Sequence, residues 1–258
     1  MSFHFGFSPL GRGVVAGFPG VLSFSPALWL DASDSNTLYD ATTGGSLVAA
    51  DGLVARWQDK SGNAYHATQA SAGAKPQRKT NVVNGLDVLR FAGAQWVLTP
   101  TVNFASTTKE TIFAVYKGTG NCLEESTSAW VNAGCVYGDP SSFYVSQNTT
   151  TFASVRETSS TDNAAYSVWT AARDSSLAAG SQLNILKNGG GVTVTRTYNT
   201  NITAAHASVG IYIGKTNSSP DFLTGDLLEL IILKTVLATP QRQAIERYLG
   251  AKWGITVE

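Results

Sequence analysis

The chain has 258 residues, 43% of them hydrophobic, with 18 Lys+Arg against 18 Asp+Glu and only 14% charged. A zero net charge argues against nucleic acid or an anionic membrane as the main partner, since both need a basic excess. The apolar content excludes global disorder, and no run approaches the roughly 18 apolar residues of a spanning helix, so no membrane insertion is expected.

The first segment, residues 1–22, carries Phe3, Phe5, Phe7 and Phe18 among Gly, Ser and Pro. Met1 to Phe7 holds no Lys or Arg, no apolar core of signal length and no small-residue cleavage site, so no secretory leader is expected. The segment reads either as a frayed terminus or as an extended arm. Exposed phenylalanines are costly in water, which favours an arm docked on a partner. On that reading one domain spans 23–258, and removing residues 1–22 should leave its thermal stability nearly unchanged.

Short runs rich in β-branched and aromatic residues then recur between clusters of Gly, Asn, Ser and Asp. They lie at 27–30, 53–57, 88–91, 111–116, 130–137, 143–145, 152–155, 166–172, 183–186, 192–195, 209–213 and 227–233. The spacing predicts an all-β sandwich or barrel. Residues 111–116 are apolar on both pleat faces, as in a strand covered on both sides. Lys187-Asn188-Gly189-Gly190-Gly191 suits a hairpin turn, because Asn-Gly supplies positive φ. Lys75, Arg78 and Lys79 around Pro76 read as a solvated loop. Cys122 and Cys135 either close a disulfide or remain thiols; with His4, His66 and His206 they give no zinc spacing.

One helix follows. Thr239 can cap it, Pro240 fits its first position, and Ile245, Leu249 and Trp253 share one face. Gln241, Arg242, Glu246 and Arg247 are left for solvent.

Four segments carry a resemblance. They are Pro26-Ala27-Leu28-Trp29-Leu30-Asp31, the Trp57 to Asn63 run WQDKSGN, Asn84 to Gly93, and the pair Thr224-Gly225-Asp226-Leu227-Leu228-Glu229 with Tyr248-Leu249-Gly250-Ala251-Lys252-Trp253-Gly254. Together they resemble the concanavalin A-like lectin/glucanase superfamily, in particular laminin-G-like jelly-roll domains of phage and bacterial surface proteins. The resemblance implies an antiparallel two-sheet jelly-roll sandwich with one short C-terminal helix, and often an adhesive or glycan-binding role.

Each singled-out residue has two readings. Asp59 and Asn63 either hold a turn through side-chain hydrogen bonds or bind a sugar hydroxyl. Asp31, Asp34 and Asp59 offer oxygens to a structural calcium ion, without a known loop spacing; no cofactor is required. Trp29, Trp253 and Phe91 read as core. Trp96, Trp130 and Tyr144 stand beside polar turns and are candidates for stacking on a sugar. Glu229 in an apolar strand is either paired inside or aimed at an edge.

Glucanases of the superfamily carry alternating carboxylates on one strand, which share a face. Here Asp226 and Glu229 are offset by three, which predicts opposite faces, and Glu124 and Glu125 are adjacent and diverge. No enzyme is expected. The residues and the resemblance point to a non-catalytic phage virion component, a capsid decoration, fibre or tail-associated protein, present in many copies or as a homo-oligomer. Its arm would join other virion proteins and its jelly roll would face outward, with host glycans as possible ligands. The alternative is a secreted or surface bacterial carbohydrate-binding module or glycan-active enzyme.

Overall fold

The computed structural model describes residues 18–104, 107–125, 134–138, 141–146, 152–157, 165–191, 194–195, 201–203, 205–217 and 221–258. Phe3, Phe5, Phe7 and Trp130 lie outside them. In chain order the strands are β1 (Leu28–Asp31), β2 (Leu38–Tyr39), β3 (Arg56–Trp57), β4 (Ala67–Thr68), β5 (Gln77–Val83) and β6 (Leu86–Ala92). There follow β7 (Val97–Leu98), β8 (Lys109–Thr119), β9 (Asn121–Glu125), β10 (Gly134–Gly138), β11 (Ser141–Ser146) and β12 (Phe152–Glu157). The last are β13 (Ser167–Asp174), β14 (Leu183–Lys187), β15 (Gly190–Gly191), β16 (Val194–Thr195), β17 (Ile211–Ile213) and β18 (Thr224–Leu233), before the helix α1 (Thr239–Trp253).

Two antiparallel sheets form. One runs β15-β14-β13-β8-β18-β6-β5, with β1 also paired to β18; the other runs β16-β12-β11-β10-β9-β17-β7-β4-β3-β2. The sequence-expected all-β sandwich with one C-terminal helix is what the chain adopts. Its main core lies between the sheets, and a second core lies between the first sheet and α1. This layering explains the two-faced apolar run at 111–116. Ile112, Ala114 and Tyr116 enter the inter-sheet core, while Phe113 and Val115 face the helix.

Local chemistry accounts for the turns. Asn188 and Gly189 take φ of 52° and 80°, and Asn84 and Gly85 take 50° and 73°, so two Asn-Gly pairs close the β14–β15 and β5–β6 hairpins. Gly118 and Gly225 sit opposite each other on β8 and β18. A Cβ on Gly225 would stand 2.0 Å from the Lys117 carbonyl oxygen, so the strands close only with glycine there.

Four expectations change. Lys75, Arg78 and Lys79 do not form a simple solvated loop: Arg78 and Lys79 belong to β5, an edge strand, where they pair with Asp87 at 2.7 Å and Asp51 at 2.7 Å. Charged residues suit such an edge because they discourage pairing with another chain. Thr239 is the first helical residue rather than the cap; the Gln241 side-chain Oε1 accepts from the Ala238 N–H instead. Glu246 is fully buried, accepting from Thr170 Oγ1 at 2.7 Å and pairing with Arg242. Residues 18–22 also belong to the folded body. Phe18 stacks on Tyr248 of α1 with centroids 4.8 Å apart, and Val21 is buried in the second core.

A bulge in β18 produces the remaining difference. Leu227 pairs with Tyr116 and Glu229 with Val115, so Leu228 is extra. The bulge resets the pleat and places Asp226 and Glu229 on one face, the helix side, where unbroken alternation would have separated them.

Candidate functional site

Asp59 holds the WQDKSGN turn. Its Oδ1 accepts from the backbone N–H groups of Trp29 (3.0 Å) and Ser61 (2.8 Å), and its Oδ2 from Ser61 Oγ (2.7 Å) and the Tyr65 N–H (3.0 Å). Asn63 donates its amide to the carbonyls of Pro26 (3.1 Å) and Ala27 (3.0 Å). Both side chains therefore fasten the turn to the start of β1.

The oxygens of Asp31 and Asp34 face ammonium groups. Lys60 reaches Asp31 at 2.9 Å and Asp34 at 2.8 Å, and Lys252 bridges Asp31 (2.7 Å) and Glu229 (2.6 Å). The positive charge that calcium would bring is supplied here by lysines. Glu229 is paired inside: it also accepts from Trp29 Nε1, Trp253 Nε1 and the Tyr248 hydroxyl. Burial pushes its carboxyl up, against the pull of Lys252. Burial also opposes ionisation of Asp31, but Lys252 and Lys60 outweigh it and hold that carboxyl at about 2. Asp226 is occupied as well, by Arg90 at 2.7 Å and the Tyr166 hydroxyl at 2.7 Å. The motif residues thus form a structural hub on the helix side of the first sheet.

An aromatic surface lies on the other sheet. Ile211 and Ile213 point into the inter-sheet core, so Tyr212 between them faces outward. Register aligns Tyr39, Arg56, Thr68, Leu98, Tyr212 and Glu124 in one cross-strand row. Trp96 precedes β7 and lies half-buried, its ring 5.8 Å from that of Tyr212. The Lys215 ammonium sits 4.5 Å from the Trp96 centroid and 5.1 Å from that of Tyr212. At the far end Arg56 covers the Tyr39 ring at 4.1 Å. Glu124 lies beneath the following turn, accepting from the Asn217 N–H at 2.8 Å. The backbone row continues through Cys135 to Tyr144, three strands from Tyr212, and the Tyr144 side chain lies outside the described residues. Tyr212 and Lys215 were missed by sequence reasoning; the alternation Ile-Tyr-Ile was the available signal.

A third locus is buried between the sheets. Glu110 on β8 stands directly opposite Arg173 on β13, and Glu125 on β9 reaches toward them from the second sheet. His206 Nε2 lies 2.7 Å from Glu125 Oε2 and 3.7 Å from Glu110 Oε2. Burial, with the charge of Glu125, pushes Glu110 up to about 8, and burial pushes Glu125 up to about 7. Glu124 and Glu125 diverge to opposite faces, as adjacent strand residues should. Cys122 is a buried free thiol pushed up to about 12 by burial; the side chain of Cys135 lies outside the described residues.

No protein-family model matches the chain, and no curated protein matches it in sequence. Solved structures do share its fold. The binding domain of Paraclostridial Mosquitocidal Protein 1 superposes with a TM-score of 0.63 at 9% identity, covering 91% of this chain and 56% of that one. A botulinum neurotoxin type C structure, from a toxin whose cell entry depends on interaction with two ganglioside molecules, gives 0.56 at 13%, covering 87% and 51%. A GH54 α-L-arabinofuranosidase gives 0.51 at 12%, covering 88% and 63%. The chain therefore spans between 51% and 63% of the length of these chains and shares a β fold with them.

Proposed function

We propose that this is a non-catalytic, concanavalin A-like domain that binds glycans on the outer face of its ten-stranded sheet. The observation that carries the reading is the half-buried Trp96–Tyr212 pair with Lys215 beside both rings. Aromatic faces stack on the apolar CH faces of sugars, and an ammonium group donates to hydroxyl or carboxylate oxygens. The fold shared with toxin binding domains supports this reading. The Glu110–Glu125 pair does not argue for hydrolysis, because both carboxyls are sealed between the sheets, out of reach of a polysaccharide.

We place the domain in a phage virion, as an outward-facing decoration, fibre or tail-associated component, on the resemblance of its motif segments alone. A glycan array spanning neutral and sialylated glycans tests the binding reading. Wild-type protein should bind a defined subset, and Trp96→Ala or Tyr212→Ala should reduce that signal at least tenfold without altering the thermal transition. Binding that survives both substitutions would overturn this assignment of the surface.

A further inference from the structure

We infer that Glu110, Glu125 and His206 form a site for one divalent metal ion of the zinc type, held between the two sheets. The three residues come from β8, β9 and the segment before β17, and their ligand atoms all lie within 4.8 Å of one another. They supply one imidazole nitrogen and carboxylate oxygens, a donor set that suits zinc or manganese better than calcium.

The imidazole is oriented as a ligand. His206 Nδ1 faces the Ala207 carbonyl at 2.8 Å, and a carbonyl only accepts, so Nδ1 carries the hydrogen. Nε2 faces the two carboxyls, 2.7 Å from Glu125 Oε2, and the proton that bridges this contact is the one an ion would displace. Donation of the remote ring N–H to a backbone carbonyl is the usual arrangement around a metal-bound histidine. The ring is fixed further by Phe104, with centroids 4.2 Å apart, and by the His206 N–H bond to the Thr107 carbonyl at 2.6 Å.

The carboxyls are short of donors. Both Glu110 oxygens and Glu125 Oε1 lack a hydrogen-bond partner although the residues are 1% and 0% exposed. Such groups are rarely left so in a protein interior. Side by side, the two carboxyls can bond to each other only when one carries a proton. A proton would thus satisfy part of the deficit, whereas a cation contacts oxygens of both. Arg173 is the cationic neighbour, and its Nε donates to Ser175 Oγ at 3.1 Å. When both carboxyls are ionised, two negative charges stand against the one guanidinium of Arg173, which favours a further cation between them.

The distances are close to those of a coordination sphere. Ligands at about 2.0–2.2 Å from zinc in a tetrahedron stand roughly 3.3–3.6 Å from one another. The Nε2 separations of 2.7 Å from Glu125 and 3.7 Å from Glu110 bracket that value, so shifts of about 0.5 Å would seat the ion.

The full chain is refolded from denaturant with zinc, manganese or calcium, passed through a desalting column and assayed for bound metal and thermal transition. Zinc should be retained at about one equivalent with a raised transition, and His206→Ala and Glu110→Gln should each lower retention at least tenfold. Cobalt(II) in the wild-type protein should show the visible bands of a low-symmetry nitrogen and oxygen site, a readout independent of whether the variants fold. Refolded wild-type protein that retains none of these ions and gives no such cobalt spectrum would overturn the site. So would calcium-only retention unaffected by His206→Ala, or a Glu110→Gln protein that is more stable metal-free and retains zinc as well as wild type; the last would make the cluster a proton-sharing pair.

Discussion

Trp29 and Trp253 donate their indole N–H groups to the two oxygens of one carboxylate: Trp29 Nε1 to Glu229 Oε1 at 2.8 Å and Trp253 Nε1 to Oε2 at 2.9 Å. With the Lys252 ammonium on Oε2, a fully buried acid is tied to β1 and to α1 at once.

Glu229→Gln should therefore be strongly destabilising. The amide keeps one acceptor where donors now use two, and it turns either an NH2 toward Lys252 or one toward Trp29. Removing one partner of a buried ion pair costs about 3–5 kcal/mol, to be read from urea unfolding midpoints. Lys252→Met should cost a similar amount, because it leaves Asp31 and Glu229 facing each other without their shared cation.

Asp31 predicts an acid-side loss of stability. Its folded pKa is about 2, below the 3.8 of an unperturbed carboxyl, so the stabilisation is fully present above pH 4 and fades as pH falls toward 2. The shift corresponds to about 2 kcal/mol. Glu229, pushed up by burial and in part by the charge of Asp31, acts in the opposite sense, so Asp31→Asn removes the Asp31 effect and relieves Glu229 together. Unfolding free energies measured from pH 5 to 2 should fall less steeply in Asp31→Asn than in wild type. Parallel curves would show that Asp31 is not the source.

Gly225→Ala should open the β8–β18 pairing, because the new Cβ meets the Lys117 carbonyl oxygen at 2.0 Å and Gly225 has φ of 157°. A loss of about 3 kcal/mol is expected by chemical denaturation. Gly62→Ala, at a position with nothing within 4 Å but φ of 93°, is the comparison that separates backbone strain from collision; it should cost less.

A chain starting at Phe18 should be more stable than one starting at Ser23. Val21 is 2% exposed and Phe18 stacks on Tyr248, so their removal uncovers the second core, at a cost of about 2 kcal/mol. Equal melting temperatures would return these residues to the arm.

Elements whose signal is local were legible in the sequence. The double-faced run at 111–116, the strand at 227–233, the Asn188-Gly189 turn and the Ile245–Leu249–Trp253 stripe were read from spacing alone. β9 was not, because Asn-Cys-Leu-Glu-Glu looks solvated until its partners appear. Glu125 meets His206 and Glu124 meets the Asn217 N–H, contacts between residues far apart in the chain. Glu246 failed for the same reason: Thr170 on β13 supplies its buried donor. The Asp226–Glu229 spacing misled because a bulge is invisible to simple alternation. The Trp96–Tyr212 pairing depends on sheet order, which periodicity does not contain.

The bulge at Leu228 has a broader consequence. By keeping Glu229 on the helix side, it lets one carboxylate clasp β1 and α1 together, while the WQDKSGN turn that leaves β3 of the other sheet fastens onto the start of β1. Tyr212 stands on β17 of that other sheet, paired with Trp96 and Lys215. Tyr212 and Lys215 have their ring contacts with Trp96 and each other, apart from the clasp, so exchanging them should leave the closure of the molecule untouched.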